Sequence, residues 1–160
     1  MFTDINPPDR TEFAGKRAVV TGGSRGRGAA ITRRLRDGGA TVVVTARSAT
    51  GETPDGATFI PGDISTVDGV EGFATAALDA SGRVDILVDN AGAARVHPEG
   101  IAGIPDEEWV DSVDINHLSA VRVTSAFLPS LHDAGAGAAV SRHPLRPDCA
   151  VPDLPAAPPA

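Results

Sequence analysis

Short, almost continuous apolar runs alternate with longer stretches in which apolar residues recur every three or four positions. Residues 16–21 hold Ala18, Val19 and Val20 in succession, and residues 40–46 are β-branched through their centre. Runs of this kind suit strands covered on both faces by helices. Residues 57–60 and 84–88 repeat the pattern. Between them Val67, Val70, Phe73, Ala74, Ala77 and Leu78 form a helical stripe closed by Ser81-Gly82, and Ile31 and Leu35 lie four apart in a segment spanning 24–37. Pro105 and the acidic residues Asp106, Glu107 and Glu108 suit a helix start. After them Trp109, Val110, Val113, Leu118, Val121, Phe127 and Leu131 predict one long helix, or two in series, to about His132, with Trp109 as a packing residue. Strand, helix, strand, strand, helix, strand, helix is the order of an α/β fold built on a doubly wound parallel sheet.

Three zones follow. Residues 1–12, polar with two prolines, read as a flexible leader, and residues 13–141 as one α/β domain. Residues 142–160 read as a disordered tail, because six of the 17 residues from 144 to 160 are proline.

The chemistry concentrates where the first strand meets the first helix. Thr21-Gly22-Gly23-Ser24-Arg25-Gly26-Arg27-Gly28 is a glycine-rich turn opening into a helix. Gly22 allows a sharp exit from the strand, Gly26 lets backbone approach a pyrophosphate, and Gly28 lets the helix pack close to the sheet. Helix N-terminal amides then face the bound anion. A carboxylate that would grip a ribose 2′-hydroxyl is expected about 20 residues further on, at the end of the second strand. Ala46 and Arg47 stand there instead, so a 2′-phosphate is welcome beside Arg47, with Arg25 as a second partner. This favours NADP(H) over NAD(H). Asp63, after strand three, is placed either to contact an adenine or only to form a turn, and Asn90-Ala91-Gly92, after strand four, to pass close to a ribose or to satisfy nearby backbone.

Composition narrows the picture. Fourteen basic against 21 acidic side chains give a net charge of −7, which disfavours nucleic acid and anionic membranes as partners. Cys149 is the single cysteine, and His97, His117, His132 and His143 show no metal-ligand spacing, so neither a disulfide nor a metal site is expected. No run approaches a membrane span, and the N-terminus lacks the features of a secretion signal, which points to a cytoplasmic setting.

Taken together, the motifs resemble those of the short-chain dehydrogenase/reductase family. The turn 21–28 is similar to its TGxxxGxG cofactor motif, Asp63-Ile64 to its adenine-contacting step, Asp89-Asn90-Ala91-Gly92 to its NNAG motif, and Asp114-Ile115-Asn116 to the helix segment bearing its asparagine. Arg27 and Asp89 depart from the family pattern. The resemblance implies a Rossmann-type fold and NAD(P)-dependent oxidation or reduction of a small alcohol or carbonyl substrate. It further implies cofactor contacts from Gly22, Ser24, Arg25, Gly26, Arg27, Gly28, Arg47, Asp63, Ile64, Asn90, Ala91 and Gly92, and a catalytic role for Asn116. Full-length relatives leave room for a homo-oligomer.

The family's tyrosine and lysine have no counterpart, since the chain contains no tyrosine and its one lysine is Lys16 at the start of strand one. Ser141 lies near the expected end of the serine-bearing strand. The pattern breaks near Val140, and we read the break as a shifted reading frame or a truncation. The sheet is therefore expected to be incomplete, in the order 3-2-1-4-5 with residues 138–141 at its edge, and the chain inactive by itself. The alternatives are a catalytically dead NADP(H)-binding module and an unstable product.

Overall fold

The structure, a computed structural model, describes residues 9–49, 53–93, 95, 97–98 and 100–141. Five parallel strands, β1 (Arg17–Thr21), β2 (Thr41–Ala46), β3 (Thr58–Pro61), β4 (Ile86–Asp89) and β5 (Ala138–Ser141), form one sheet in the order β3-β2-β1-β4-β5. The helices are α1 (Gly26–Asp37), α2 (Val67–Ser81), α3 (Asp106–Val113) and α4 (Ser119–Asp133), with a π-helical turn, Asp114–Leu118, joining α3 to α4. This is the expected α/β architecture and strand order. The tail 142–160 and residues 1–8 of the leader lie outside the described residues.

Strand alternation splits the core into two layers. Val19, Val43 and Leu87 face α2 and α4, where Phe73 and Phe127 meet edge to face with ring centres 5.9 Å apart. Ala18, Val20, Val42, Val44 and Val88 face the other way, onto Leu35 and Ile31 of α1. Register is pinned at the amino end by Asp85. Its Oδ2 accepts from the Arg17 amide at 2.8 Å, and its own N–H donates to Arg17 O at 2.8 Å. Pro61 closes β3, which pairs only with β2, so its missing N–H interrupts no central ladder. Residues 10–15 form turns, with the Phe13 amide donating to Gly38 O and Arg34 sitting over the Phe13 ring while ion-paired to Glu12.

The apolar residues of 109–131 do not form the single stripe expected. Phe127 and Leu131, with Val123, are buried, whereas Trp109, Val110, Val113, Leu118 and Val121 are exposed. On α4 Val123, Phe127 and Leu131 share the buried face while Val121 lies off it, and α3, before the π turn, buries none of its residues. No helix among the described residues is long and apolar enough to cross a membrane.

Phe127 is wholly buried between sheet and α2. Phe127→Ala is expected to cost about 3–5 kcal/mol of unfolding free energy, read from urea denaturation.

Candidate functional site

A cleft of about 710 Å³ opens at the carboxyl ends of β1, β2, β3 and β4. The turn after β1 forms its floor. Gly22 turns the chain with φ of +63°, a conformation side-chain-bearing residues rarely adopt, and its amide donates to Thr45 O at 2.8 Å. At Gly28 a Cβ would fall 2.0 Å from Gly22 O and 2.6 Å from Asn90 Nδ2, so glycine alone lets α1 lie this close. Gly26, with φ of +53°, is different: a Cβ there would meet nothing within 4 Å, which leaves its backbone facing open space.

α1 begins without a side-chain cap at Arg25 and without an acidic residue in its first turn. α2 has both, Thr66 accepting from the Gly69 amide and Asp68 following. The uncapped end lies in the cleft with Ser24, Arg25 and Arg27, across from Arg47. Positive helix-end amides among arginines form a setting for a phosphate-bearing anion, so the chain's own groups fit a dinucleotide.

A clasp holds the two central strand ends together. Thr21 Oγ1 accepts from the amides of Asn90 and Ala91, both at 3.0 Å, and Asn90 Nδ2 donates to Thr21 O at 3.1 Å and Gly22 O at 3.3 Å. Asn90 thus satisfies nearby backbone, and this clasp sets the crevice width. Ala91 and Gly92 continue along the cleft wall.

Asp63 and the buried Ile64 form the opposite wall. The Ser65 hydroxyl donates to Asp63 Oδ1 at 2.7 Å and the Ser65 amide at 3.1 Å. Those bonds hold the Asp63 carboxyl below its ordinary range, with a smaller contribution from the Arg47 charge. Asp63 is therefore a turn former at the cleft rim.

Asn116 sits in the π turn and grips the loop after β4. Its Oδ1 accepts from the Ala93 amide at 2.9 Å, and its Nδ2 donates to Ala93 O at 2.8 Å and Ser112 Oγ at 3.3 Å. Ser141 ends β5 opposite Asp89 and is exposed. Lys16 precedes β1, at the end of the sheet away from the cleft.

Asp89, 4% exposed, points at α4 from the middle of the sheet. Thr124 Oγ1 donates to its Oδ2 at 2.8 Å, while its Oδ1 has no hydrogen-bond partner. Burial pushes its pKa up to about 6, against the opposing hydrogen bond from Thr124.

Sequence patterns gave no sign of a second cavity of about 420 Å³ adjoining the first. There Glu108 Oε2 lies 3.1 Å from His97 Nε2 and 3.3 Å from Arg95 Nη1, beside Trp109, which is 44% exposed rather than packed in the core. A single histidine and a lone arginine in a loop carry no spacing signal. Among the described residues no three His, Cys, Asp or Glu side chains gather as a metal site requires.

A family model described as short chain dehydrogenase matches residues 16–141. L-fucose dehydrogenase of Mus musculus is 35% identical over 130 residues, covering 76% of this chain and 46% of that protein. The 3-oxoacyl-[acyl-carrier-protein] reductase FabG of Vibrio cholerae is 36% identical over 120 residues, covering 71% and 48%. Among solved structures, the Pseudomonas aeruginosa RhlG/NADP active-site complex superposes with a TM-score of 0.69 at 31% identity, covering 79% of this chain and 52% of that one. The chain spans about half the length of the curated relatives it matches.

Two outcomes follow from this geometry. Gly28→Ala forces α1 off the Gly22 carbonyl, at a cost of roughly 1–3 kcal/mol in chemical denaturation. Folded Asp89 holds its proton more tightly than the unfolded chain does, so its contribution is full below the ordinary value of 3.8 and lost as pH rises through about 6. The loss amounts to on the order of 3 kcal/mol, and Asp89→Asn should flatten that slope when denaturation is repeated from pH 4 to pH 7.

Proposed function

The chain belongs to the short-chain dehydrogenase family, and from that membership we propose that its crevice binds NADP(H) in preference to NAD(H). It does so as the cofactor-holding part of an oxidoreductase for a small alcohol or carbonyl substrate. The observation that carries this reading is the uncapped start of α1, opening into the cleft beside Gly26, where a Cβ would meet nothing within 4 Å.

In this reading the diphosphate lies on the first turn of α1, over Gly22, Ser24, Gly26 and Gly28. Arg25 and Arg47 meet the 2′-phosphate, and no carboxylate ends β2 to repel it. Arg27 borders the same anion. Asp63 and Ile64 border the adenine, while Asn90, Ala91 and Gly92 border the ribose on the nicotinamide side. When bound, the dinucleotide supplies the hydride chemistry. The residues of this chain do the positioning: Asn90 fixes the crevice width, and Asn116 fixes the loop at Ala93.

Proton transfer to a substrate oxygen has no phenol to serve it, because the chain contains no tyrosine. Loss of a positioned acid–base group costs roughly 10²–10⁴-fold in rate, so this chain binds its dinucleotide with little or no turnover.

Fluorescence titration tests both parts. NADPH is expected to bind about tenfold more tightly than NADH, and Arg47→Ala to erase that advantage while leaving NADH affinity alone. Equal affinities would remove the 2′-phosphate assignment, and absence of binding to either would remove the function. Carbonyl reduction at an ordinary enzymatic rate would overturn binding without turnover.

A further inference from the structure

The wall of the cleft formed by residues 63–66 packs into the core through Ile64, but its hydrogen bonds are mostly internal. Asp63 Oδ1 takes two bonds from Ser65, the Thr66 amide donates to Asp63 O, and Thr66 Oγ1 caps α2. Such local bonds shape a turn without fixing where the turn sits relative to the rest of the cleft. Besides the α2 amides that close on Thr66, a hydrogen bond reaches this stretch from a separate element. Arg122, on α4 and 57 residues away in sequence, donates from Nη1 to Ser65 O at 2.8 Å. The same Nη1 lies 2.9 Å from Oδ1 of Asp114, in the π turn that carries Asn116. The Arg122 side chain is 28% exposed, so this charge-assisted contact is only partly screened by water.

We propose that Arg122 is a positioning residue for the adenine half of the dinucleotide, holding the 63–65 loop against α4 and, through Asp114, tying it to the turn that grips the opposite wall at Ala93. The inference rests on the dinucleotide reading given above. Both walls are then fixed from α4 and the π turn that leads into it: Arg122 holds one by a backbone carbonyl, and Asn116 holds the other by a backbone amide and carbonyl. Without the guanidinium, the loop keeps its internal turn and its Ile64 contact but loses its polar tie to α4. The binding-competent position is then only one of several, and affinity falls by the fraction of time the loop spends there.

The test uses the full chain with Arg122→Met, which keeps the aliphatic stem and removes the donor, and Asp114→Asn, which keeps the donor and removes its charge partner. In the free protein, amide hydrogen exchange of residues 64–66 should rise in both variants while exchange in β1 and β4 stays unchanged. NADPH affinity should fall about tenfold in Arg122→Met, and affinity for adenosine 2′,5′-bisphosphate, which carries only the adenine half, by the same factor. Asp114→Asn should give a smaller loss in the same direction, and it serves alone if Arg122→Met does not fold. A residue that merely ties α4 to α2 would lower the melting midpoint without moving the bisphosphate affinity. Unchanged loop exchange, or unchanged bisphosphate affinity beside normal binding by the unaltered chain, overturns the proposal. If the unaltered chain binds neither nucleotide, the dinucleotide reading falls first and this inference falls with it.

Discussion

The crevice depends on how closely α1 lies against the exit of β1. Helix and strand meet across Gly28, where a Cβ would sit 2.0 Å from the Gly22 carbonyl, and Asn90 closes the same gap from the β4 side. The Thr21 hydroxyl completes the arrangement by accepting two successive amides from the chain leaving β4. Three elements are thereby locked at one point, and the uncapped amides of α1 face the cleft as a result.

Much of this could be read from the chain alone, and for identifiable reasons. The β-branched centre of β2 and the helical stripe of α2 are local patterns whose period follows from geometry, and both elements formed where expected. The separate tasks of Gly22, Gly26 and Gly28 are visible as spacing, and the structure places the three where a strand becomes a helix. Other features have no local signature. Arg122 on a helix face reads as a solvated charge until the loop it reaches is known, and nothing near Asn116 in sequence names Ala93 as its partner. Asp63 could be read either as a turn former or as a ligand contact. Its bonds to Ser65 show the first and leave its second carboxylate oxygen without a described partner of its own.

Burial is lopsided across the sheet. β1, β2 and β4 are covered on both faces, whereas all four residues of β5 are exposed, Val140 among them. On the same side Val121 and Leu128 of α4 face outward, as do Val110 and Val113 of α3. An uncharged edge strand next to exposed aliphatic side chains is a surface prone to unwanted association. The strands that carry the glycine turn and its clasp, β1, β2 and β4, are the well-packed ones, so the glycine turn does not rely on the exposed side for its shape.

The π turn between α3 and α4 has a bearing on inheritance. Its i→i+5 bonding accommodates one residue more than an α-helical turn, as though a codon had been inserted into a continuous helix. Losing one codon there would close the wide turn into an ordinary α-helical one and leave α3 facing as before. The residues displaced would be those inside the turn, Asp114 with its Arg122 contact and Asn116 with its bonds to Ala93. The length of this segment therefore decides where Asp114 and Asn116 point, and not how the helices on either side of it are faced.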